Sequence, residues 1–141
     1  MKRFHVNVSV ADISRSTNFY NTLFGVEPTI LKDDYAKWML EDPRINFSIS
    51  TGKNSKGLNH IGLQADTMEE LGVIQSRLRD AETKTFDEPE AKCCYASSSK
   101  TWVHDPDDVA WETFVTHGQL TYYGYDEGSA EPESSNKLCC A

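Results

Sequence analysis

An internal repeat limits the fold of this chain more than any other feature. A strand with alternating apolar and polar residues precedes a helix and three short strands, and after a polar linker the same order begins again. Aligning the two halves places His5 on His60, Trp38 on Trp102 and Ser48 on Glu112. The sequence therefore predicts an α+β fold of two βαβββ modules, in which His5 and His60 are symmetry mates facing one cavity.

Hydrophobic periodicity and turn residues set the bounds of the predicted elements. In the first module, a strand at 3–10 and a helix at 13–24 precede strands at 27–31, 36–41 and 45–51. In the second, a strand at 58–65 and a helix after Thr67, with Glu70 completing a capping box, precede strands at 84–87, 93–97, 101–104 and 109–116. Residues 96–100 are small and polar, which indicates a mobile lid.

The repeat also divides the chain. Module one covers about residues 1–52, module two about 57–117, and the two make one domain over 1–117. The chain changes character from Gly118, since Gly, Ser, Glu and Pro dominate from Tyr125 to Lys137 without any apolar period. Such a segment buries too little apolar surface to offset its ordering entropy. We therefore expect a flexible acidic tail that ends in Cys139-Cys140.

The charge balance excludes several partners. The formal net charge is −8 and the sequence pI is about 4.9. Nucleic acids and anionic membrane surfaces require clustered Lys and Arg, so neither is an expected partner. No run of about 18 apolar residues could span a bilayer, and the first residues lack the apolar stretch of a signal peptide. We therefore expect a cytoplasmic protein.

Three residues predict a metal site. His5 and His60 lie on the opening strands of the two modules, and Glu112 lies near the end of the last strand. Two imidazoles and one carboxylate form the facial set that suits non-haem Fe(II) and leaves positions open, although Ni, Co, Mn or Zn could also occupy it. Ser48, the mate of Glu112, is not a carboxylate, so a fourth strong ligand is absent and a catalytic site is favoured.

Adjacent thiols form a second motif. Cys93-Cys94 lies in module two, and Cys139-Cys140 lies near the end of the tail. Two thiolates at this spacing are soft donors for thiophilic ions such as As(III), Cd(II) or Hg(II). A pair of small buried hydrophobes is the other interpretation.

Taken together, these motifs resemble a known family. "RFHVNVSV", "FYNTLFG", "LNHIGLQ", "CCYASSSKTWVHDPDDVAWETFV" and the terminal Cys pair are similar to the carbon–arsenic lyase branch, often called cadmium-induced proteins, of the vicinal oxygen chelate superfamily, which includes glyoxalase I. The resemblance covers roughly residues 1–117 and implies a cupped mixed sheet around a cavity. Some relatives carry Gln at the position of His5, which would keep a metal site but could change the preferred metal.

The resemblance also implies an activity. Cys93 and Cys94 would capture a trivalent organoarsenical, Fe(II) on His5, His60 and Glu112 would use O₂ as co-substrate, and inorganic arsenite would be released, which confers arsenical resistance. Tyr95 and Lys100 would contact the substrate, and Lys100 could lower the thiol pKa values. The apolar part of the pocket could be lined by Trp38, Phe47, Tyr95 and Trp102, although core packing is the simpler role for each.

Two other functions stay open. One is another metalloenzyme of the same superfamily, such as a glyoxalase. The other is a non-catalytic protein that binds cadmium or arsenic through its two Cys pairs. The modules could pair within one chain or across a homodimer.

Overall fold

Two βαβββ modules follow one another along the chain, as the repeat predicts. The computed structural model describes residues 1–52, 56–93 and 95–119, with only the backbone described at Cys93. The first module contains β1 (Arg3–Ser9), α1 (Ile13–Phe24), β2 (Ile30–Leu31), β3 (Tyr35–Glu41) and β4 (Arg44–Ser50). The second contains β5 (Gly57–Gln64), α2 (Met68–Asp80), β6 (Thr85–Cys93), β7 (Ala96–His104) and β8 (Ala110–Gln119).

The strands of the described chain form one mixed sheet in the order β2-β3-β4-β1-β5-β8-β7-β6. At its centre β1 and β5 pair antiparallel, and each pairs in parallel with the last strand of its own module. The register repeats as well, because Val6 lies opposite Phe47 in one module and Ile61 lies opposite Trp111 in the other. This register confirms the alignment of the opening and closing strands of the two modules.

Side-chain caps set where the helices begin. The Asp12 carboxylate accepts a hydrogen bond of 2.8 Å from the backbone N–H of Arg15 at the start of α1. At the start of α2, Thr67 Oγ1 accepts from the Glu70 N–H at 3.1 Å, and the Glu70 carboxylate accepts from the Asp66 N–H at 2.8 Å. The predicted capping box is therefore formed in outline, with Asp66 in place of Thr67 as the second donor.

The helices cover one face of the sheet. Ile13 of α1 packs with Trp38, Phe47 and Ile49 in a buried cluster, and Leu71 of α2 packs in a second cluster. Because side chains alternate between the faces of a strand, the residues between these apolar ones point the other way. The second face therefore carries buried polar side chains, and it forms the wall of the cavity described below.

Several predicted strand bounds are wrong. The predicted strand at 27–31 is only Ile30–Leu31, and the predicted strands at 84–87, 93–97 and 101–104 form two longer strands, β6 and β7. Residues 96–100 are not a lid, because they begin the continuous strand β7. This strand is bonded on both sides, to β6 and to β8. Small polar residues are compatible with a strand here because they line a buried polar surface rather than solvent.

The predicted equivalence of Trp38 and Trp102 is also wrong. Trp38 pairs with Phe47 and faces α1, whereas Trp102 pairs with Glu112 and faces the opposite side of the sheet. Neither Trp38 nor Phe47 therefore lines the cavity, and both belong to the core, which is the simpler of their two predicted roles.

The last strand is longer than predicted. β8 runs to Gln119, three residues beyond the predicted end of the strand at residue 116. The rest of the predicted tail, including Cys139-Cys140, falls outside the described residues. Within the described part of the chain, neither helix has the length and apolar character needed to cross a membrane.

Candidate metal centre

His5 and His60 meet at the centre of the sheet. They lie on the adjacent strands β1 and β5, and their Nε2 atoms are 3.1 Å apart. Both side chains are buried, with 5% of His5 and 3% of His60 exposed. The repeat thus brings the two imidazoles together, as the sequence predicts.

Glu112 completes the cluster from β8. Its Oε2 atom lies 3.3 Å from His5 Nε2 and 3.2 Å from His60 Nε2. The approach of β8 depends on Gly62, which lies opposite Glu112 on β5. A Cβ atom at Gly62 would lie 1.9 Å from the backbone oxygen of Glu112, so no side chain fits there. Gly62 is therefore part of the site, although it carries no ligand atom.

Hydrogen bonds orient both imidazoles. His5 Nδ1 lies 3.1 Å from the backbone carbonyl oxygen of Asn46, which can only accept, so Nδ1 carries the proton. His60 Nδ1 similarly donates to the side-chain oxygen of Asn59 at 2.7 Å. Both Nε2 atoms then present lone pairs, the arrangement usual for metal-binding histidines.

The protonation states suit a metal. Burial lowers the pKa of His60 from its ordinary value despite the neighbouring Glu112, which keeps the imidazole neutral. Burial alone would raise the pKa of Glu112, but the charge of the Lys100 ammonium is the largest opposing effect, and that pKa lies well below the usual range. The two Nε2 lone pairs left by the bonds at Nδ1 and the Glu112 carboxylate thus converge within 3.3 Å of one another and repel. A divalent cation resolves this repulsion, so the donor set fits a metal ion.

A small cavity adjoins the three donors. Its volume is about 40 Å³, enough for a few water-sized groups. The wall contributed by module one is polar: Asn7 Nδ2 donates to Ser48 Oγ at 2.8 Å, and Asn46 Oδ1 is buried without a partner among the described residues. Because Ser48 stands where a fourth carboxylate could lie, the side of the site facing β4 stays open.

Lys100 lies in a strand rather than in a lid, and its predicted contact with substrate stays a prediction. It is a buried residue of β7, 5% exposed, and its Nζ donates to Glu112 Oε1 at 2.6 Å. The sequence signal for this contact is the alternation of side chains along a strand, which points Lys100 and Trp102 to the same face. The small polar composition of residues 96–100 obscures that signal. Trp102 packs edge-on against His60, with ring centroids 5.1 Å apart.

Tyr95 bridges the two modules. It lies in the turn between β6 and β7, and its hydroxyl donates to Asp34 at 2.6 Å. Its ring lies 5.9 Å from that of Tyr35 and beneath the Lys32 ammonium. Tyr35 lines the cavity but Tyr95 does not. The predicted contact of Tyr95 with substrate stays a prediction.

The predicted thiol site lies at the end of β6. Cys94 falls outside the described residues, and only the backbone of Cys93 is described. That backbone pairs with Ala96, which lines the cavity. The end of β6 is therefore a strand neighbour of the cavity wall.

Comparison with known proteins agrees with this fold. The family model described as "Glyoxalase/Bleomycin resistance protein/Dioxygenase superfamily" matches residues 2–113. Among solved structures, the Mn(II)-bound glyoxalase from Novosphingobium aromaticivorans has a TM-score of 0.61 at 16% identity, over 90% of this chain and 44% of that one. An extradiol ring-cleaving dioxygenase from B. fuscum has a TM-score of 0.62 at 15% identity, over 82% and 32%. At these sequence identities, the structural similarity shows the fold alone.

Sequence relatives are more similar and match almost end to end. A Bacillus subtilis (strain 168) protein named "Probable trivalent organoarsenical cleaving enzyme" is 38% identical over 99% of this chain and 100% of its own length. The "Trivalent organoarsenical cleaving enzyme" of Bacillus sp. (strain MD1) is 36% identical over 99% and 83%. The "Cadmium-induced protein CadI" of Mycobacterium bovis is 27% identical over 99% and 93%. By family model and by relatives, this chain belongs to the glyoxalase, bleomycin resistance protein and dioxygenase superfamily.

Proposed function

We propose that this protein is an Fe(II)-dependent enzyme that cleaves the carbon–arsenic bond of trivalent organoarsenicals and releases inorganic arsenite. The observation that carries the proposal is the buried His5, His60 and Glu112 set, whose three donor atoms converge beside an open cavity. The names of the two Bacillus relatives support the choice of substrate. All three donors come from one chain, so metal binding would not require a homodimer.

The donor set supports a catalytic metal, such as iron, over a purely structural one. Two neutral imidazoles and one carboxylate leave half of an octahedral ion's positions open, whereas structural sites are usually closed by four protein ligands. When bound, Fe(II) would supply the electron transfer that allows O₂ to react with a closed-shell substrate. His5 and His60 would each hold the ion through Nε2, kept unprotonated by the bonds at Nδ1.

The thiol pair would hold the arsenical. As(III) is soft and binds two thiolates in preference to imidazole or carboxylate, which is why we assign capture to Cys93 and Cys94. The backbone of Cys93 pairs with cavity-lining Ala96, which supports this assignment. Capture would convert a dilute reactant into one held beside the metal, and this proximity lowers the barrier.

The proposed reaction balances without an external reductant. For methylarsenite, CH₃As(OH)₂ and O₂ give formaldehyde and As(OH)₃. Both oxygen atoms end in the products, the carbon gives up four electrons to O₂, and arsenic stays trivalent. Because capture requires reduced thiols, we place this reaction in the cytoplasm, where it would confer arsenical resistance.

The direct test is a single-turnover assay. The protein is loaded with Fe(II) without air, then mixed with methylarsenite and O₂, and arsenite and formaldehyde are measured. We expect equal amounts of both products from the wild type and none from the Cys93→Ser/Cys94→Ser variant. The Cys139→Ser/Cys140→Ser variant is the matched control, and we expect it to react. An absence of arsenite from the iron-loaded wild type would reject the proposal.

A non-catalytic role in binding cadmium or arsenic is the alternative, and the name of the Mycobacterium bovis relative favours it. Glu112→Ala separates the two functions. The enzyme would lose arsenite release and keep arsenical binding, whereas a sequestering protein would protect cells equally well with or without Glu112. A glyoxalase activity, the third possibility, would act on a thiol adduct of an α-ketoaldehyde and would need no O₂.

A further inference from the structure

The two oxygens of Glu112 face different partners. Oε2 points to the two imidazoles, at 3.2 and 3.3 Å, while Oε1 accepts a hydrogen bond of 2.6 Å from Lys100 Nζ. A carboxylate can bind a metal through one oxygen or chelate it through both, and the second mode requires both oxygens to turn to the ion. The contact with Lys100 opposes that turn.

Lys100 is held in this position by the sheet. Trp102 lies directly opposite Glu112 on β7, and Lys100 is two residues further along the same face of that strand. The Lys100 ammonium reaches Glu112 across the Trp102 ring, 5.9 Å from its centroid. The indole is itself fixed, because its Nε1 donates to Glu88 Oε1 at 3.0 Å.

Burial makes the contact hard to give up. The side chains of Lys100 and Glu112 are 5% and 6% exposed, so water cannot readily replace either partner. Removing one partner of a buried charge pair costs far more than removing one at the surface. Rotation of Glu112 to chelate a metal would carry the same kind of cost, because it would draw Oε1 away from the ammonium.

We infer that Lys100 is a positioning residue that restricts Glu112 to one coordinating oxygen and so keeps three positions of an octahedral ion open. This inference rests on the metal site of the proposed function but not on its substrate. Three open positions matter because a captured substrate and O₂ can then bind side by side without displacing a protein ligand.

Counting the water molecules coordinated to Mn(II) tests this without arsenical or turnover. The count comes from line broadening of the electron paramagnetic resonance spectrum of Mn(II) in ¹⁷O-enriched water. Water-proton relaxation gives a second measure. We expect three waters in the wild type and two in Lys100→Met, with relaxation enhancement falling by about a third in a six-coordinate ion. Lys100→Gln and Lys100→Arg keep an N–H donor and should keep three.

Lys37→Met is the matched control. Lys37 lines the same cavity, and no ion pair joins it to Glu112 within the described part of the chain. It should keep three waters, whereas a mere charge-balancing role for Lys100 would leave the count unchanged in Lys100→Met as well.

The wild-type count is decisive even if a variant does not fold. Two waters in the wild type, or three in folded Lys100→Met, would overturn the inference. Failure to bind Mn(II) at all would overturn it together with the metal site. Three waters without arsenite release would count against the proposed function alone.

Discussion

Gly62→Ala links the packing of the sheet to the geometry of the metal site. The new Cβ would lie 1.9 Å from the backbone oxygen of Glu112, where contacts in proteins are rarely closer than 3.0 Å. Relief requires β5 and β8 to separate by roughly 1 Å, which is comparable to the overpacking that costs about 1–3 kcal/mol in cores. At roughly 4 °C per kcal/mol for a chain of this size, we expect Tm to fall by about 4–12 °C.

The same displacement moves Glu112 away from His5 and His60. We expect Mn(II) affinity, measured by isothermal titration calorimetry, to fall by about 10–100-fold, as it does when a support of a metal ligand is lost. Gly72→Ala is the control, because a Cβ there meets nothing within 4 Å and alanine stabilises a helix interior by about 0.5–1 kcal/mol. A Gly62→Ala protein with wild-type Tm and Mn(II) affinity would refute this reasoning.

Three further substitutions test individual contacts. Glu112→Gln should destabilise the metal-free protein by about 3–5 kcal/mol in urea unfolding, because it removes the charge beside buried Lys100. Adding Lys100→Met to this variant should recover part of the lost stability. Fully additive losses in the double variant would contradict the pairing. Asn59→Leu should weaken Mn(II) binding by about 10–100-fold, because the Nδ1 proton of His60 loses its acceptor. An unchanged calorimetric Kd would show that Asn59 does not orient this ligand. Tyr95→Phe should cost about 0.5–1.5 kcal/mol by loss of its bond to Asp34. Amide hydrogen exchange should then rise in the turn between β6 and β7, and equal exchange in both proteins would argue against the bridge.

Much of the site could be predicted because the repeat constrains register. Once His5 and His60 are mates, pseudo-symmetry brings them to the two central strands, and the alternation of side chains puts both on one face. Glu112 follows from the same reasoning, since its strand is the mate of β4. The fold and the juxtaposition of the three donors were therefore available from the pattern alone.

The face to which the β7 side chains point could not be predicted, because it depends on the length of the turn between β7 and β8. β3 and β4 are joined by the two residues between Glu41 and Arg44, whereas five residues separate the paired His104 and Ala110 of β7 and β8. The longer turn shifts the hairpin register by one residue relative to module one, and such a slip moves every side chain to the other face. Trp102 and Lys100 consequently face the metal site rather than α2, and the composition of residues 96–100 gives no sign of it.

This slip makes the site asymmetric in charge as well as in ligands. Across the pseudo-twofold, Ser48 occupies the place of Glu112, and the register gives Tyr35 the place of Lys100. The Glu112 carboxylate and the Lys100 ammonium therefore lie on the same side and offset each other's charge. A divalent ion on the two imidazoles, together with the Lys37 ammonium that lines the cavity from β3, would leave the cavity with a net positive charge, which favours the thiolate form of nearby cysteines. Module two thus supplies the carboxylate ligand, whereas module one has the uncharged Ser48 in its place, and the neutral dithiolate adduct of an arsenical would have an open side from which to approach the metal.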